Sequence, residues 1–278
     1  MAVQEFSLLC QRDRGGREER LGHQVALLEG IPVSGASLEE IGAHAAELAR
    51  GTCVPIGTVE FVRRAMSLAG IREPANLSYP EVLEPYLHRL LELIPAGLVV
   101  GRLFVKPTAT KAFTGFVFGT LDEPDDLDTH DRRQHAAFLA LSPDELVWAS
   151  EPVRWQSEVR YYVLDGQIVG EGRYDAGPED APLPERTIVE EMARRFSASA
   201  ASPAAFAIDA GVLDDGATAL VEVNDAWALG FYSGTLEPRD YVRMLCRRWR
   251  QLSAGSCAAQ AAATRSGRIR AAADEVRV

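Results

Sequence analysis

The chain has 278 residues, 47% hydrophobic and 25% charged, with a formal net charge of −11 and a pI near 5.0. That length holds one large or two small domains with a sizeable core. The acid excess argues against nucleic acid as the main partner, because phosphate backbones bind to basic fields; a small anionic ligand needs only a few local cations. Cys10, Cys53, Cys246 and Cys257 are far apart and form no CxxC. Glu5, Arg12 and Asp13 fall too early for a secretory signal, so the cysteines read as reduced thiols and the expected location is cytoplasmic. The longest mostly apolar run, AGLVVGRLFV at 96–105, is about half a membrane span, so no membrane partner is expected. The five histidines show no metal-ligand spacing.

In chain order, EFSLLC (5–10) reads as an opening strand, and QRDRGGREER as a loop or helix start. QVALLEG and SLEEIGAHAAELARG carry helical spacing. Ser37 stands ready to cap the second, and Gly51 lies just past its end. TVEFVRRAMSLAG (58–70) is an amphipathic helix, and YPEVLEPYLHRLLELIP (79–95) a helix interrupted at Pro85. Residues 1–95 therefore form a small, helix-rich α/β unit. GLVVGRLFVKP (97–107) is a buried strand ending in Lys106-Pro107. TATKAFTGFVFG (108–119) is a mobile loop between strands, and DEPDDLDTHD (122–131) a solvated surface loop. From 146 onward strands dominate. Two apolar-rich runs flank Asp165-Gly166, a strong hairpin signal. A helix over 185–196 precedes a second hairpin turning at Asp214-Asp215-Gly216, and a helix over 237–252 follows it. The Ala- and Arg-rich tail, 253–278, is a weak helix or disordered.

VEVNDAWALG (221–230) ends the second hairpin. Alternation puts Val221 and Val223 toward the core, with Glu222 and Asn224 on the opposite face. A turn centred on Asp214–Gly216 brings Asp209 roughly opposite Glu222. Opposed carboxylates repel, which leaves two readings: a wet face, or a cation between them. Asp, Glu and Asn oxygens suit a hard dication such as Mg²⁺. In the first hairpin, a turn at Asp165-Gly166 sets Glu158 opposite Arg173 and Arg160 opposite Glu171. Two exposed ion pairs or the lining of a nucleotide pocket both fit. Lys106 alone reads as a solvent-facing lysine, though in a constrained position.

Taken in order, FVKP (104–107), TATKAFTG (108–115), SEPV (150–153), SEVRYYVLDGQIVGEGRY (157–174), FAIDAGV (206–212) and VEVNDAW (221–227) resemble the ATP-grasp family of ATP-dependent carboxylate–amine ligases. The resemblance covers about residues 97–250. It implies an α+β fold of two subdomains enclosing a nucleotide, 96–150 and 151–252, behind a pre-domain at 1–95. It further implies that Lys106 contacts ATP and that Lys111 closes over the phosphates. Trp148, Ser150 and Glu151 would form the adenine hinge, with Glu151 or Glu158 reaching the ribose. Arg160 and Arg173 would face the transferring phosphoryl group and the substrate carboxylate, and Asp209, Glu222 and Asn224 would hold Mg²⁺. The implied cofactors are ATP and Mg²⁺; the implied partners are a small-molecule carboxylate and an amine, an amino acid or peptide. The implied reaction is ligation through an acyl phosphate with ADP released, a chemistry of positioning and charge neutralisation. No GxxxxGK[ST] is present, so a P-loop is not indicated. A phosphotransferase or a nucleotide-binding module of the same fold remains the alternative. Asp225 and Trp227 have no assigned role, and the oligomeric state stays open, a homo-oligomer included.

Overall fold

A computed structural model of the protein describes residues 6–119, 129–175, 177–232 and 234–255. The chain begins with strand β1 (Ser7–Gln11), helix α1 (Arg17–Glu29) and β2 (Val33–Ala36). A 3₁₀ turn (Glu40–His44), α2 (Ala45–Ala49), β3 (Cys53–Ile56) and α3 (Val59–Leu68) follow. These strands form a parallel sheet in the order β2-β1-β3. Ser37 caps as expected: its Oγ accepts from Glu40 N at 3.2 Å, and Glu40 Oε2 accepts from Ser37 N at 2.9 Å, a reciprocal capping box. The helix it opens is part 3₁₀ and part α rather than one continuous α-helix.

The 79–95 segment is not a helix. A 3₁₀ turn (Glu81–Tyr86) contains Pro85, and the chain then extends as β4 (Leu91–Pro95); proline has no N–H to continue a helix. A 3₁₀ turn (Ala96–Leu98) occupies the start of the expected 97–107 strand, leaving β5 at Leu103–Pro107. The expected loop at 108–119 contains a short strand, β6 (Phe116–Phe118), and α4 (Thr129–Leu139) and β7 (Leu146–Ser150) complete this part. The antiparallel order is β4-β7-β5-β6, so the sheet carrying Lys106 begins at Leu91, inside the segment assigned to the pre-domain. Of the acidic stretch, 129–131 open α4, and 122–128 lie outside the described residues.

The third sheet is β8 (Trp155–Leu164), β9 (Gln167–Arg173), β10 (Ala205–Leu213) and β11 (Thr218–Asp225), antiparallel in the order β11-β10-β8-β9. Helix α5 (Arg186–Ser197) covers one face, where Val189, Met192 and Phe196 pack on Val159, Phe206, Ile208 and Val223. Full burial of each such side chain contributes about 1.5–3 kcal/mol. The last helix, α6, spans 238–255. It joins the pre-domain in covering part of the other face: Tyr241, Leu245 and Trp249 share one core with Leu8, Phe61, Tyr162 and Ala207. What this cover leaves open is the end bearing Glu158, Arg160, Asp209 and Glu222. Residues 256–278 of the Ala- and Arg-rich tail, with Cys257, lie outside the described residues. Among the described residues no helix is long and apolar enough to cross a membrane.

Both hairpins turn where expected. Asp165 and Gly166 have φ of +47° and +82°, the left-handed pair a two-residue turn demands. Two bulges then reset the registers. In β10/β11 the pairing runs Val212↔Thr218 to Ala210↔Leu220, then jumps to Asp209↔Glu222, so Val221 is the extra residue. Without it, Val221 and Val223 would face the open side, and Glu222 and Asn224 the α5 core. Val223 lies in that core as expected, whereas Val221 lines the cleft instead. Arg89 donates to the carbonyls of Leu220 and Val221 at 2.9 and 3.3 Å, satisfying the backbone that the bulge frees. In β8/β9 the extra residue is Val169, between Val163↔Ile168 and Tyr162↔Gly170. Here the expected pairing is overturned. Arg160 faces Gly172, Tyr161 faces Glu171, and Arg173 faces Val159; Glu171 pairs instead with Arg186 of α5.

Candidate functional site

The register makes one row across the open face: Glu222, Asp209, Arg160, Gly172. Arg160 grips Asp209 with Nε–Oδ1 at 2.7 Å and Nη2–Oδ2 at 2.6 Å. Asp209 is fully buried; burial pushes its carboxyl up, against the pull of the Arg160 guanidinium. Asn224 Nδ2 donates to Asp209 Oδ2 at 3.0 Å and to Glu222 Oε1 at 2.9 Å. Lys106, delivered by β5 from the facing sheet, forms an ion pair with Glu222. Burial alone would lower the Lys106 ammonium, but Glu222, Tyr79 and Asp209 together hold it above its ordinary value. Burial likewise works to raise Glu222, and Lys106, Asn224 and Arg160 outweigh it, so its carboxyl is lowered.

Arg160 is held between two aromatic rings, its guanidinium 5.4 Å from the centroid of Tyr174 and 5.0 Å from that of Tyr232. Those rings stack on each other's flank at 5.8 Å. The loop bearing Tyr232 packs directly on β9: a Cβ at Gly172 would lie 2.5 Å from Thr235 Cβ, so only glycine lets the loop approach. Tyr174 donates to Glu158 Oε2 at 2.7 Å, and burial raises the Glu158 carboxyl despite that bond.

Two clefts of about 550 Å³ each meet at this row, both lined by Lys106, Gly115, Arg160 and Glu222. The first continues along Phe104, Ser150, Glu151, Trp155 and Glu158, an apolar slot with polar groups at its edge. There Ser150 donates to Glu151 O at 2.9 Å, and Glu151 Oε1 accepts from Leu90 N at 3.3 Å. The second cleft continues past Lys111, Asn224, Asp225 and Trp227. Lys111 has φ of +56°, an uncommon backbone state for lysine. Burial, and then Arg160, lower its ammonium.

Most residues singled out in the sequence therefore converge: Lys106, Lys111, Ser150, Glu151, Glu158, Arg160, Glu222 and Asn224 line the joined clefts, with Asp209 beneath. Two do not. Trp148 pairs with Lys106 across the ladder and meets Tyr79 edge-on at 5.2 Å, behind the cleft wall. Arg173 is turned away by the Val169 bulge; it binds Asp175 through Nε at 2.8 Å and Nη2 at 2.5 Å, and the Pro178 carbonyl at 2.6 Å. Sequence reasoning missed Tyr79, Arg89, Tyr174 and Tyr232. Tyr174 closes the quoted hairpin motif and was within reach; Arg89 gave no signal inside a stretch that read as helix. Asp225 now has a role: Arg248 of α6 grips it at 2.8 and 2.5 Å, and its Oδ1 accepts from Trp227 N at 3.2 Å, fixing the turn after β11.

The donor set suits a hard dication. Asp209 Oδ2 and Glu222 Oε1 converge on one point, now bridged by the Asn224 amide, whose oxygen and nitrogen exchange by a half-turn. Among the described residues no cluster of three or more His, Cys, Asp or Glu exists, so an ion held there would complete its shell from water or phosphate.

A family model for an ATP-grasp domain, the third family of its clade, matches residues 52–252, beginning within the segment assigned to the pre-domain. No curated protein matches the chain. Among solved structures, the chain is similar to D-alanine–D-alanine ligase from Bacillus anthracis complexed with ATP: 12% identity, 90% of this chain and 99% of that one covered, TM-score 0.55. It is also similar to an ADP complex of purK, N5-carboxyaminoimidazole ribonucleotide synthetase, at 12% identity, 87% and 77% coverage and TM-score 0.53. These likenesses establish the fold, α+β as the sequence implied, and with most of its length matched the chain belongs to this ATP-grasp domain family.

Proposed function

We propose that the protein is an ATP- and Mg²⁺-dependent ligase that joins a carboxylate to an amine through an acyl phosphate and releases ADP. The observation that carries this reading is the meeting of Lys106, Arg160 and the Asp209–Glu222–Asn224 set at the junction of two clefts. In this reading the apolar slot takes adenine, with the backbone of Ser150 and Glu151 at its edge and Glu158 toward the ribose. Lys106 and Lys111 neutralise phosphate charge. Arg160 keeps Nε and Nη2 on Asp209 and turns its remaining Nη1 toward the transferring group, where a planar, preorganised cation favours developing charge. Asp209, Glu222 and Asn224 would hold Mg²⁺, which when bound neutralises the β- and γ-phosphates. No nucleophilic side chain is required, because the substrate carboxylate itself attacks the γ-phosphorus. Its oxygen bonds to phosphorus, ADP leaves, and the amine then displaces phosphate from the acyl carbon with loss of one proton. Arg173 and Trp148 have no part in this reading.

The test is incubation with Mg·ATP and a mixed amino-acid pool, with nucleotide products separated and coupled products weighed. ADP together with an amide is expected, and Glu222→Gln should remove both while keeping the wild-type melting curve. AMP with pyrophosphate would overturn the acyl-phosphate route. ADP with only a phosphorylated product would make the protein a phosphotransferase, and nucleotide binding without ADP a binding module.

A further inference from the structure

A third cavity, of about 340 Å³, opens where the first turns of α1 and α3 meet the turn after β11. Lys111, Trp227 and the segment 228–230 line both this cavity and the second cleft, so a molecule lying in it reaches the candidate reaction centre. Glu19, in the first turn of α1, lines the cavity and is only 5% exposed. Its Oε2 has no hydrogen-bond partner and is buried. A carboxylate oxygen kept so deep without a donor costs stability, and local packing is shaped around it: a Cβ at Gly16 would collide with the same carboxylate.

The polarity of the missing partner follows from what the other groups already do. At α3 the N-terminal donors are taken: Thr58 N donates to Gln11 Oε1 at 2.9 Å, and Phe61 N to Thr58 Oγ1 at 3.3 Å. Glu18 is taken too, accepting from Phe231 N at 3.1 Å. Arg14 lines the cavity from an exposed position. That leaves Glu19 as the unsatisfied charge inside, and it calls for a cationic N–H donor.

We infer that this cavity recognises a protonated amino group, with Glu19 Oε2 as its acceptor, so that one substrate is an α-amino compound extending past Trp227 and Lys111 into the cleft. This rests on the ligase reading for its meaning in turnover, but the binding site stands or falls by itself. The probes are the α-amino-acid amides, which carry the ammonium without a carboxylate, against the N-acetyl amino acids, which carry the reverse. Each is titrated against the full chain, following tryptophan fluorescence, because Trp227 lines the cavity, and the melting temperature. At least one amide should bind the wild type, and Glu19→Gln should weaken it at least tenfold while leaving ADP binding unchanged. N-acetyl amino acids should not bind there. Gly16→Ala, which drives the carboxylate from its seat, should give the same loss and serves if Glu19→Gln does not fold. The inference is overturned if no amide binds, if Glu19→Gln binds the amide as well as wild type, or if the acetylated series binds equally. Wild-type ADP formation tests the ligase reading separately: amide binding without ADP would sink that reading alone, and ADP formation without amide binding would sink this inference alone.

Discussion

Arg160 and Asp209 face each other on neighbouring strands and share two parallel hydrogen bonds, 2.7 and 2.6 Å long, around a carboxylate with no solvent exposure. Removing one partner strands the other's charge, which costs about 3–5 kcal/mol in a buried pair. Asp209→Ala and Arg160→Ala should each lower urea stability by about that amount. The double variant Arg160→Met/Asp209→Leu should lose much less than the sum, because both charges leave together. Additive losses in a double-mutant cycle would mean that the pair is not coupled.

Deleting Val221 removes the β11 bulge. Glu222 and Asn224 would then turn toward Phe206, Ile208 and α5, and two valines toward the cleft. The expected outcome is a fall in melting temperature large enough to populate unfolded chain at 37 °C, with Mg·ATP binding lost. A deletion variant that melts like wild type would show that something other than the bulge sets the facing of the strand.

The described cysteines should be inert. Cys10 and Cys246 are buried, and burial pushes each thiol up to about 12; Glu19 then Cys53 add to the rise at Cys10, whereas Arg250 opposes it at Cys246. Burial raises Cys53 as well. Thiolate is the reactive form. In a Cys257→Ser background, native protein at pH 8 should therefore take up no iodoacetamide over a time in which urea-unfolded protein takes up three equivalents.

Asp175 is held well below the usual carboxylate range, chiefly by Arg173, against slight burial, with the N–H groups of Glu158 and Gly177 adding to the effect. In the unfolded chain it returns to about 3.9. A lowered folded-state value stabilises above the unfolded value, and the stabilisation fades as pH falls through and below it. The melting-temperature gap between wild type and Asp175→Asn should thus be widest at neutral pH and narrow steadily from pH 5 to pH 2. A constant gap would assign the effect to hydrogen bonding alone.

Much of the site was legible because its chemistry is local. Asp165-Gly166 and Asp214–Gly216 announce their turns, and the odd run Glu222-Asn224 announces a face with a purpose. The bulges were not legible. Val169 and Val221 look like any other strand valines, yet each shifts register by one, and they do so with opposite consequences: Glu222 comes in, and Arg173 goes out. The helix expected at 79–95 failed for a related reason, because β4 is extended through its pairing with β7, a contact distant in sequence. Arg89 escaped notice because its task, holding the carbonyls of Leu220 and Val221, exists only once the bulge exists.

The Lys106–Glu222 ion pair has a thermodynamic corollary. Under the proposed function, the lysine must exchange its carboxylate for phosphate, and the glutamate its ammonium for a metal ion. A cation arriving alone would strand the buried ammonium; a polyphosphate arriving alone would strand the buried acid. The two ligands are therefore heterotropically linked, each raising the affinity for the other by the same factor, and the strength of that reciprocity is set by how tightly Lys106 and Glu222 hold each other beforehand.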